Sequence, residues 1–453
     1  MIRFAGDLSK IFPIYMEGSM AGGETGITLG PFRIDLPETQ LLRDGIRLEL
    51  RPQAFRALEV LIRNHGKLVD YGQMMREAWG FQVAKHTIAT TVNELKSVLG
   101  EYGSWITCQP KFGYRLTMRD SEDLLRKGWH FWNQHTRKGL ENALDCFQQA
   151  AEKDSSDFRA FEAISSSCLM LAGFLMRQPR ECQRLFEQAH QRAVELCGMT
   201  PELRLERAFG LLLFEHDLKQ AEAELKAVRR ERPSLVHAPI RLALVYLASG
   251  RLNKARTMML EAQAIDDLAP QLAMLGMVVR LFRREFQTAE EWGRANLELH
   301  PSSGISRAFY AECLELTGRF DEALTQYKSA ITLSPDALWI LADQAACFAR
   351  HGRKAEALAT LDELATLRRT AYVDAYHVAL LLDAVGLRQK AFQELERALD
   401  EMAYSLLFID VDPKADAIRG DRRFAQFRKK LSGIGIKQCR GHSISLVKTT
   451  ASG

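Results

Sequence analysis

Residues 307–335 read RAFYAECLELTGRFDEALTQYKSAITLSP, and this stretch decides the fold of most of the chain. Tyr310, Ala311 and Leu314 share one face of a first helical segment, and Gly318 marks a turn. Ala323, Tyr327 and Ala330 then share one face of a second helical segment, before Pro335 ends the unit. The unit recurs. Ala221, Ala255, Ala289, Ala323, Ala357 and Ala391 stand 34 residues apart, with turn glycines at Gly250, Gly318, Gly352 and Gly386 and terminal prolines at Pro233, Pro301 and Pro335. Neither helix of such a pair can bury its apolar face alone, so the period predicts a stack in which each pair covers the next. Small residues at the helix crossing allow close approach, and glycine permits a left-handed turn.

This period, with small residues and turn glycines in register, resembles the tetratricopeptide repeat and implies an α-solenoid. An earlier unit around Gly139, Leu140, Ala143, Phe147, Ala150 and Asp154 fits the same pattern. Between Ala143 and Ala221 lie 78 residues, which is two periods plus ten; the surplus is expected to lengthen helices or a loop around 177–184. About eight helix pairs are expected over 120–402, followed by a capping segment and basic tail over 403–453. The run DVDPKADAIRGDRRFAQFRKKL resembles the end segment that follows such repeats in regulators of this domain order. Residues 419–448 hold nine Lys/Arg against Asp421 alone, which suits either a solvated capping helix or an arm that contacts phosphate.

The N-terminal part has a different rhythm. ITLGPFRIDL and QLLRDGIRLEL read as short paired strands, the second pair joined at Asp44-Gly45. Pro52 suits the first turn of a helix lined by Phe55, Leu58, Leu61 and Ile62, with Gly66 after its end. Asp70 and Gln73 form a capping pattern for a second helix through Met74, Met75, Ala78 and Trp79, which Gly80 closes. A third helix runs from Lys85 to Leu99, with Ile88, Val92, Leu95 and Leu99 facing inward. His86, Thr90, Thr91, Asn93, Glu94 and Ser97, with Lys96 at the edge, are read onto its outer face, where short polar side chains suit base edges and phosphates. Trp105-Ile106-Thr107 and Gly113–Leu116 read as a hairpin whose tip holds Gln109, Pro110, Lys111 and Phe112.

The ordered blocks GPFRID, LRPQAFRALEVLIRNHGKLVDYGQMMREAWG, HTIATTVNELKSVLG and ITCQPKFGYRL resemble the OmpR/PhoB-type winged-helix DNA-binding domain over about 27–119. The resemblance implies that the helix after Trp79-Gly80 enters the major groove and that the hairpin before Gly113-Tyr114 is the wing. His86, Thr90, Thr91, Asn93, Glu94 and Lys96 would then face DNA, with Lys111 in the wing. Trp79, Gly113, Tyr114 and Leu116 match structural positions of the family. One departure stands out: the run Asn93–Val98 holds one base and one acid where the family usually has two or three basic residues. Fewer cations mean fewer released counterions, hence weaker binding by one module and a need for a second copy or a partner. Glu94 could accept from a cytosine amino group or stand as a solvated acid that repels phosphate.

Composition limits the alternatives. The chain has 453 residues, 47% hydrophobic and 26% charged, with a formal net charge of +4, which excludes both a uniformly basic nucleic-acid coat and an acidic disordered chain. Thirteen Lys/Arg against nine Asp/Glu over 27–119 give that module +4 by itself, so two basic ends flank an acidic repeat region. Eight cysteines without a CxxC pair suggest buried thiols, as at Cys146, Cys168, Cys313 and Cys347, in a reducing compartment. His237, His300 and His377 read as packing or surface histidines. No nucleotide-binding, metalloprotease or nucleophile-elbow motif occurs, and neither a cofactor nor a metal site is expected, so the chain does not read as an enzyme. The longest apolar run, CLMLAGFLM at 168–176, is half a membrane span, and Asp7 and Lys10 interrupt the start where a signal peptide needs apolar residues. Residues 1–26 are expected to be an unstructured segment, too short for the receiver domain that usually accompanies this module.

The expectation is therefore a mainly α protein: an N-terminal winged helix-turn-helix (α+β) followed by a tetratricopeptide-repeat α-solenoid. Its function reads as sequence-specific transcription regulation, preferably activation, in the cytoplasm. Its partners would be double-stranded promoter DNA, RNA polymerase, a protein or small effector on the repeats, and a second subunit, with no membrane. The domain order resembles HilA-type regulators and soluble relatives of ToxR and CadC. The alternative is a repeat scaffold whose winged helix no longer binds DNA.

Overall fold

The computed structural model describes residues 26–29, 32–35, 38–43, 46–117, 120–267 and 269–433. The expected unstructured segment, apart from Gly26, the Asp44-Gly45 turn and the distal half of the basic tail lie outside them. The described chain divides into two compact units. One comprises residues up to 135 with 142–160, the other 136–141 with everything from 161 onward.

In the first unit, strands β1 (Gly26–Leu29), β2 (Phe32–Asp35), β3 (Gln40–Arg43) and β4 (Ile46–Leu48) form an antiparallel sheet in sequence order. Helix α1 (Pro52–Arg63) begins on Pro52, as its fixed φ favours. Strand β5 (Leu68–Asp70) leads into α2 (Tyr71–Met74), which continues as a wider turn over Met75–Trp79 and stops at left-handed Gly80. The Asp70 carboxylate accepts from the Gln73 amide at 2.7 Å, satisfying an orphan donor at the helix start. Helix α3 spans Lys85–Leu99, and β6 (Ile106–Gln109) and β7 (Gly113–Leu116) follow; a second sheet has the order β5-β7-β6. Phe32, Ile34 and Leu41 of the first sheet share one core with Phe55, Leu58 and Leu61 of α1, Trp79, the inner face of α3, and Tyr114 and Leu116 of β7.

Gly113 is where the second sheet is tightest. A Cβ there would lie 2.0 Å from the Val69 carbonyl oxygen, so only glycine lets β7 approach β5. The unit continues through α4 (Asp120–Trp132) and most of α5 (Arg137–Lys153), where Trp129 packs on Phe147 with ring centroids 5.0 Å apart. Arg159 donates to Tyr102 Oη at 2.9 Å and to both Asp157 oxygens, and pairs with Glu122.

The second unit is a helix array. It runs α6 (Phe158–Gly173), α7 (Pro179–Cys197), α8 (Pro201–Gly210), α9 (Leu218–Glu231), α10 (His237–Ala248), α11 (Leu252–Ile265), α12 (Pro270–Phe282) and α13 (Phe286–Leu299). It continues with α14 (Gly304–Leu316), α15 (Phe320–Leu333), α16 (Leu338–Arg350), α17 (Lys354–Leu367), α18 (Ala375–Ala384) and α19 (Arg388–Asp400). Ala221, Ala255, Ala289, Ala323, Ala357 and Ala391 all sit in second helices and are fully buried, the expected result of close helix crossing. The surplus between Ala143 and Ala221 is accommodated largely by long helices: α5, α6 and α7 have 17, 16 and 19 residues.

The turn position at the same 34-residue spacing is left-handed at all six places, yet two are not glycine: His216 (φ +53°) and Arg284 (φ +63°) stand with Gly250, Gly318, Gly352 and Gly386. Cys168, Cys313 and Cys347 are buried as expected, whereas Cys146 is only half-buried.

Candidate nucleic-acid interface

Helix α3 is fixed by its inner face. Ile88, Val92, Leu95 and Leu99 are fully buried, and each such side chain contributes on the order of 1.5–3 kcal/mol. The outer face is thereby free of packing duty. His86, Thr90, Asn93 and Ser97 are exposed at positions four, three and four apart, one stripe along the helix, with Lys96 half-buried beside it. The Thr90 hydroxyl donates to the His86 carbonyl at 2.9 Å, leaving its lone pairs as outward acceptors.

Two of the expected residues stand differently. Thr91 is buried (4% exposed) and donates to the Thr87 carbonyl at 3.0 Å. It lies three residues after Ile88 and four before Leu95, so helical geometry puts it on the apolar face, and the internal hydrogen bond makes its burial tolerable. Thr91 is thus not part of the outer stripe. Glu94 is half-buried and held by Arg51, the residue before α1: Arg51 Nε donates at 2.7 Å, Nη2 forms an ion pair with the same oxygen, and the Arg51 amide approaches the other at 3.4 Å. The Arg51 hydrogen bond holds the Glu94 carboxyl below its usual range. Sequence spacing gave no sign of this pair, because its members are 43 residues apart and stand in separate blocks.

The hairpin tip packs against the start of α2. The Tyr71 amide donates to the Phe112 carbonyl at 3.2 Å, tying the tip to the start of α2. Lys111 adopts a left-handed φ of +74° and is exposed, and Phe112 beside it is 65% exposed. Tyr71 stacks edge-on with Tyr114 of β7 at 5.8 Å, and the Lys85 ammonium sits 4.9 Å above the Tyr71 ring. Through this layer the first residue of α3 and the hairpin share one support. The only sequence signal for Lys85 is its position at the start of the helix; its place over Tyr71 comes from the tertiary fold.

Chemically, the stripe offers neutral donors and acceptors with cations at its margins, Lys85 and Lys96, and a separate cation at Lys111. Such a surface can hydrogen-bond base edges and contact phosphates. Among the described residues, no group of three or more His, Cys, Asp or Glu could hold a metal ion. Four cations in the first half of the basic tail are paired: Arg419 with Asp416, Arg423 with Asp421, Arg428 with Asp410 and Lys430 with Glu396.

A helix-turn-helix with a β-hairpin wing defines a class of DNA-binding domain, here joined to a repeat solenoid. Residues 45–116 match the family described as "Transcriptional regulatory protein, C terminal", and residues 281–338 and 317–372 match the tetratricopeptide repeat. The chain carries an OmpR/PhoB-type domain at its N-terminal end, followed by tetratricopeptide repeats. Over 103 residues it is 32% identical to the transcriptional regulatory protein CutR of Streptomyces coelicolor, covering 21% of this chain and 47% of that one. Over 56 residues it is 39% identical to the transcriptional regulatory protein KdpE of Mycobacterium tuberculosis, covering 12% and 25%. The chain thus spans about half or less of the curated relatives it matches. Among solved structures, the human IFIT1 dimer with m7Gppp-AAAA has a TM-score of 0.46 at 16% identity, covering 70% of this chain and 78% of that one. A tetratricopeptide repeat protein from Parabacteroides merdae has a TM-score of 0.39 at 12% identity, covering 58% and 98%. No described helix is long and apolar enough to cross a membrane.

Proposed function

We propose that the protein is a sequence-specific transcription regulator in which the winged helix reads promoter DNA and the repeat array receives a protein, a small effector or a second subunit. The observation that carries this reading is the exposed polar stripe of α3 on a domain whose sequence matches transcriptional regulators. His86, Thr90 and Asn93 are assigned to base edges, Lys96 and Lys111 to phosphates. Glu94, engaged by Arg51, acts as a positioning residue for the helix start of α1 and removes an unpaired acid from the DNA side. With few cations, one module binds weakly, and two modules brought together by the array bind neighbouring half-sites. Activation through RNA polymerase, a bacterial cytoplasmic setting and a HilA-like role belong to this proposal.

One observation favours the alternative, a scaffold that has lost DNA binding: Arg51 is consumed by Glu94, which leaves few free cations beside the stripe. Selecting bound fragments from genomic DNA, then titrating the best fragment over a salt series, separates the two readings. A regulator retains specific binding against competitor DNA, with affinity falling as salt rises. Absence of binding at low salt by the folded chain would remove the regulator reading.

A further inference from the structure

After α19 the chain does not build another helix pair. Met402 turns it with a left-handed φ of +55°, and residues 403–419 continue as two short 3₁₀ turns, Tyr404–Phe408 and Pro413–Ala415, and a four-residue helix, Asp416–Arg419. A cap would rest on the last pair. This segment instead reaches earlier pairs: Tyr404–Phe408 packs against the 211–215 turn, α10 and Phe282 as well as α18 and α19, and the residues after it reach polar partners on further pairs. The Ser405 hydroxyl lies 2.8–2.9 Å from both oxygens of Asp374 at the start of α18, and Asp412 accepts from Tyr376 Oη at 2.7 Å. Lys414 Nζ donates to Asp343 of α16 at 2.8 Å and lies 3.2 Å from Glu312 of α14. Asp416 then forms a two-pronged pair with Arg284, in the turn before α13, both contacts at 2.7 Å. The partners are 31, 36, 71 and 132 residues upstream of Ser405, Asp412, Lys414 and Asp416 respectively. The polar contacts of the run reach four helix pairs, while Leu406, Leu407, Ile409 and Ile418 are buried in the apolar core of the array.

The middle contact is a built site. Side chains of Lys414, Glu312 and Asp343 are only 6%, 4% and 1% exposed, yet Glu312 Oε1 and Asp343 Oδ1 have no hydrogen-bond partner. Two carboxylates from different helix pairs thus converge on one ammonium and keep spare acceptor capacity, a recess matched to a cation that arrives from outside the pairs themselves. The distal anchor is weaker, since Arg284 and Asp416 are 35% and 50% exposed and water competes for their pair.

We propose that Glu312 and Asp343 form a lysine-binding seat for a short Asp-Pro-Lys segment, filled in cis by residues 403–419 and able to take the same kind of segment from another protein chain once those residues withdraw. This deepens the array's part of the reading above and is tested without DNA, so the two can fail separately. In cis, the tether gives Lys414 a local concentration of about millimolar or more, so an incoming segment succeeds only when the resident one is loosened.

The test uses the full chain and a fluorescent peptide of residues 409–419, IDVDPKADAIR, with a second peptide carrying Gln for Lys. Three proteins are compared: wild type, Lys414→Ala, and Arg284→Gln, which loosens the exposed anchor while Asp416 keeps its pair with Arg419. Peptide binding by anisotropy and trypsin cleavage within 403–423 are read together. Wild type is expected to bind at least tenfold more weakly than either variant, and the Gln peptide at least tenfold more weakly than the Lys peptide. Adding Glu312→Gln and Asp343→Asn to the Lys414→Ala chain should abolish capture. Equal binding by all three proteins, or equal binding of both peptides, would overturn the seat. So would variants that free the segment to trypsin without capturing peptide, or folded variants in which it stays protected.

Discussion

The winged-helix unit and the helix array treat charge in opposite ways. On α3 the polar side chains other than Thr91 stand outside or at the edge, and the core behind them is aliphatic and aromatic. In the array, Glu206, Arg241, Glu312, Asp343, Asp374 and Lys414 are all buried or nearly so, held by partners from other helices. Polar groups on the first surface are free to meet a ligand and add little to stability. In the second they fix which helix and which segment lie together, because a buried charge left without its partner is costly.

That contrast breaks most visibly at Lys414. Lys414→Met leaves Asp343 and Glu312 buried without a cation, and calorimetry should register a loss of about 3–5 kcal/mol. A loss below about 1 kcal/mol, the range of surface pairs, would show that the array does not depend on buried charge in this way. On the other side, Thr90→Glu or Asn93→Glu should weaken binding to the selected DNA fragment by about a hundredfold, equivalent to about 2.7 kcal/mol, with the melting temperature unchanged. Parallel losses of stability and affinity would mean that the stripe is part of the core support after all.

The sequence made one half of this comparison legible. The i, i+4, i+7 spacing of Ile88, Val92 and Leu95 encodes which face of α3 is inside, and the 34-residue recurrence of small residues encodes the array. The polarity of Thr91 suggests exposure, while its angular position between Ile88 and Leu95 requires the burial observed. Arg51–Glu94 and Lys414–Asp343 were not legible at all: they join residues 43 and 71 apart, across elements whose separation no local pattern records.

Acidity sharpens the comparison further. Burial first, and then the nearby Glu162, pushes the Glu206 carboxyl up to about 8. The unfolded chain ionises this group in the usual carboxyl range, so between about pH 4.5 and 8 the folded array holds the extra proton. Stability from this group is therefore full at low pH and is lost as pH rises through that window. Glu206→Gln should flatten that portion of the decline between pH 5 and 8, raising the melting temperature at pH 8 by a few degrees, roughly 2–4 °C per kcal/mol for a domain of this size class. An unchanged slope in scanning calorimetry would contradict the assignment.

The smallest expected effect is at the hairpin tip. Lys111→Gly relieves a left-handed backbone and should stabilise the winged helix by about 1 kcal/mol. It should also weaken all DNA sequences alike and reduce the salt slope by about one unit, as loss of a phosphate contact does. A changed sequence preference would reassign the tip to base reading.

By itself the sequence determined the helix pairing, the inner face of α3 and glycine at four of the turn positions, since each depends on spacing within a single element or repeat. Only the tertiary structure decided that His216 and Arg284 adopt the same left-handed turn, that Arg51 holds Glu94, and that residues 403–419 cross the array to seat Lys414. Those outcomes depend on which distant surfaces meet when the chain closes, and the free energy of a buried charge is set by that meeting and not by its neighbours in sequence.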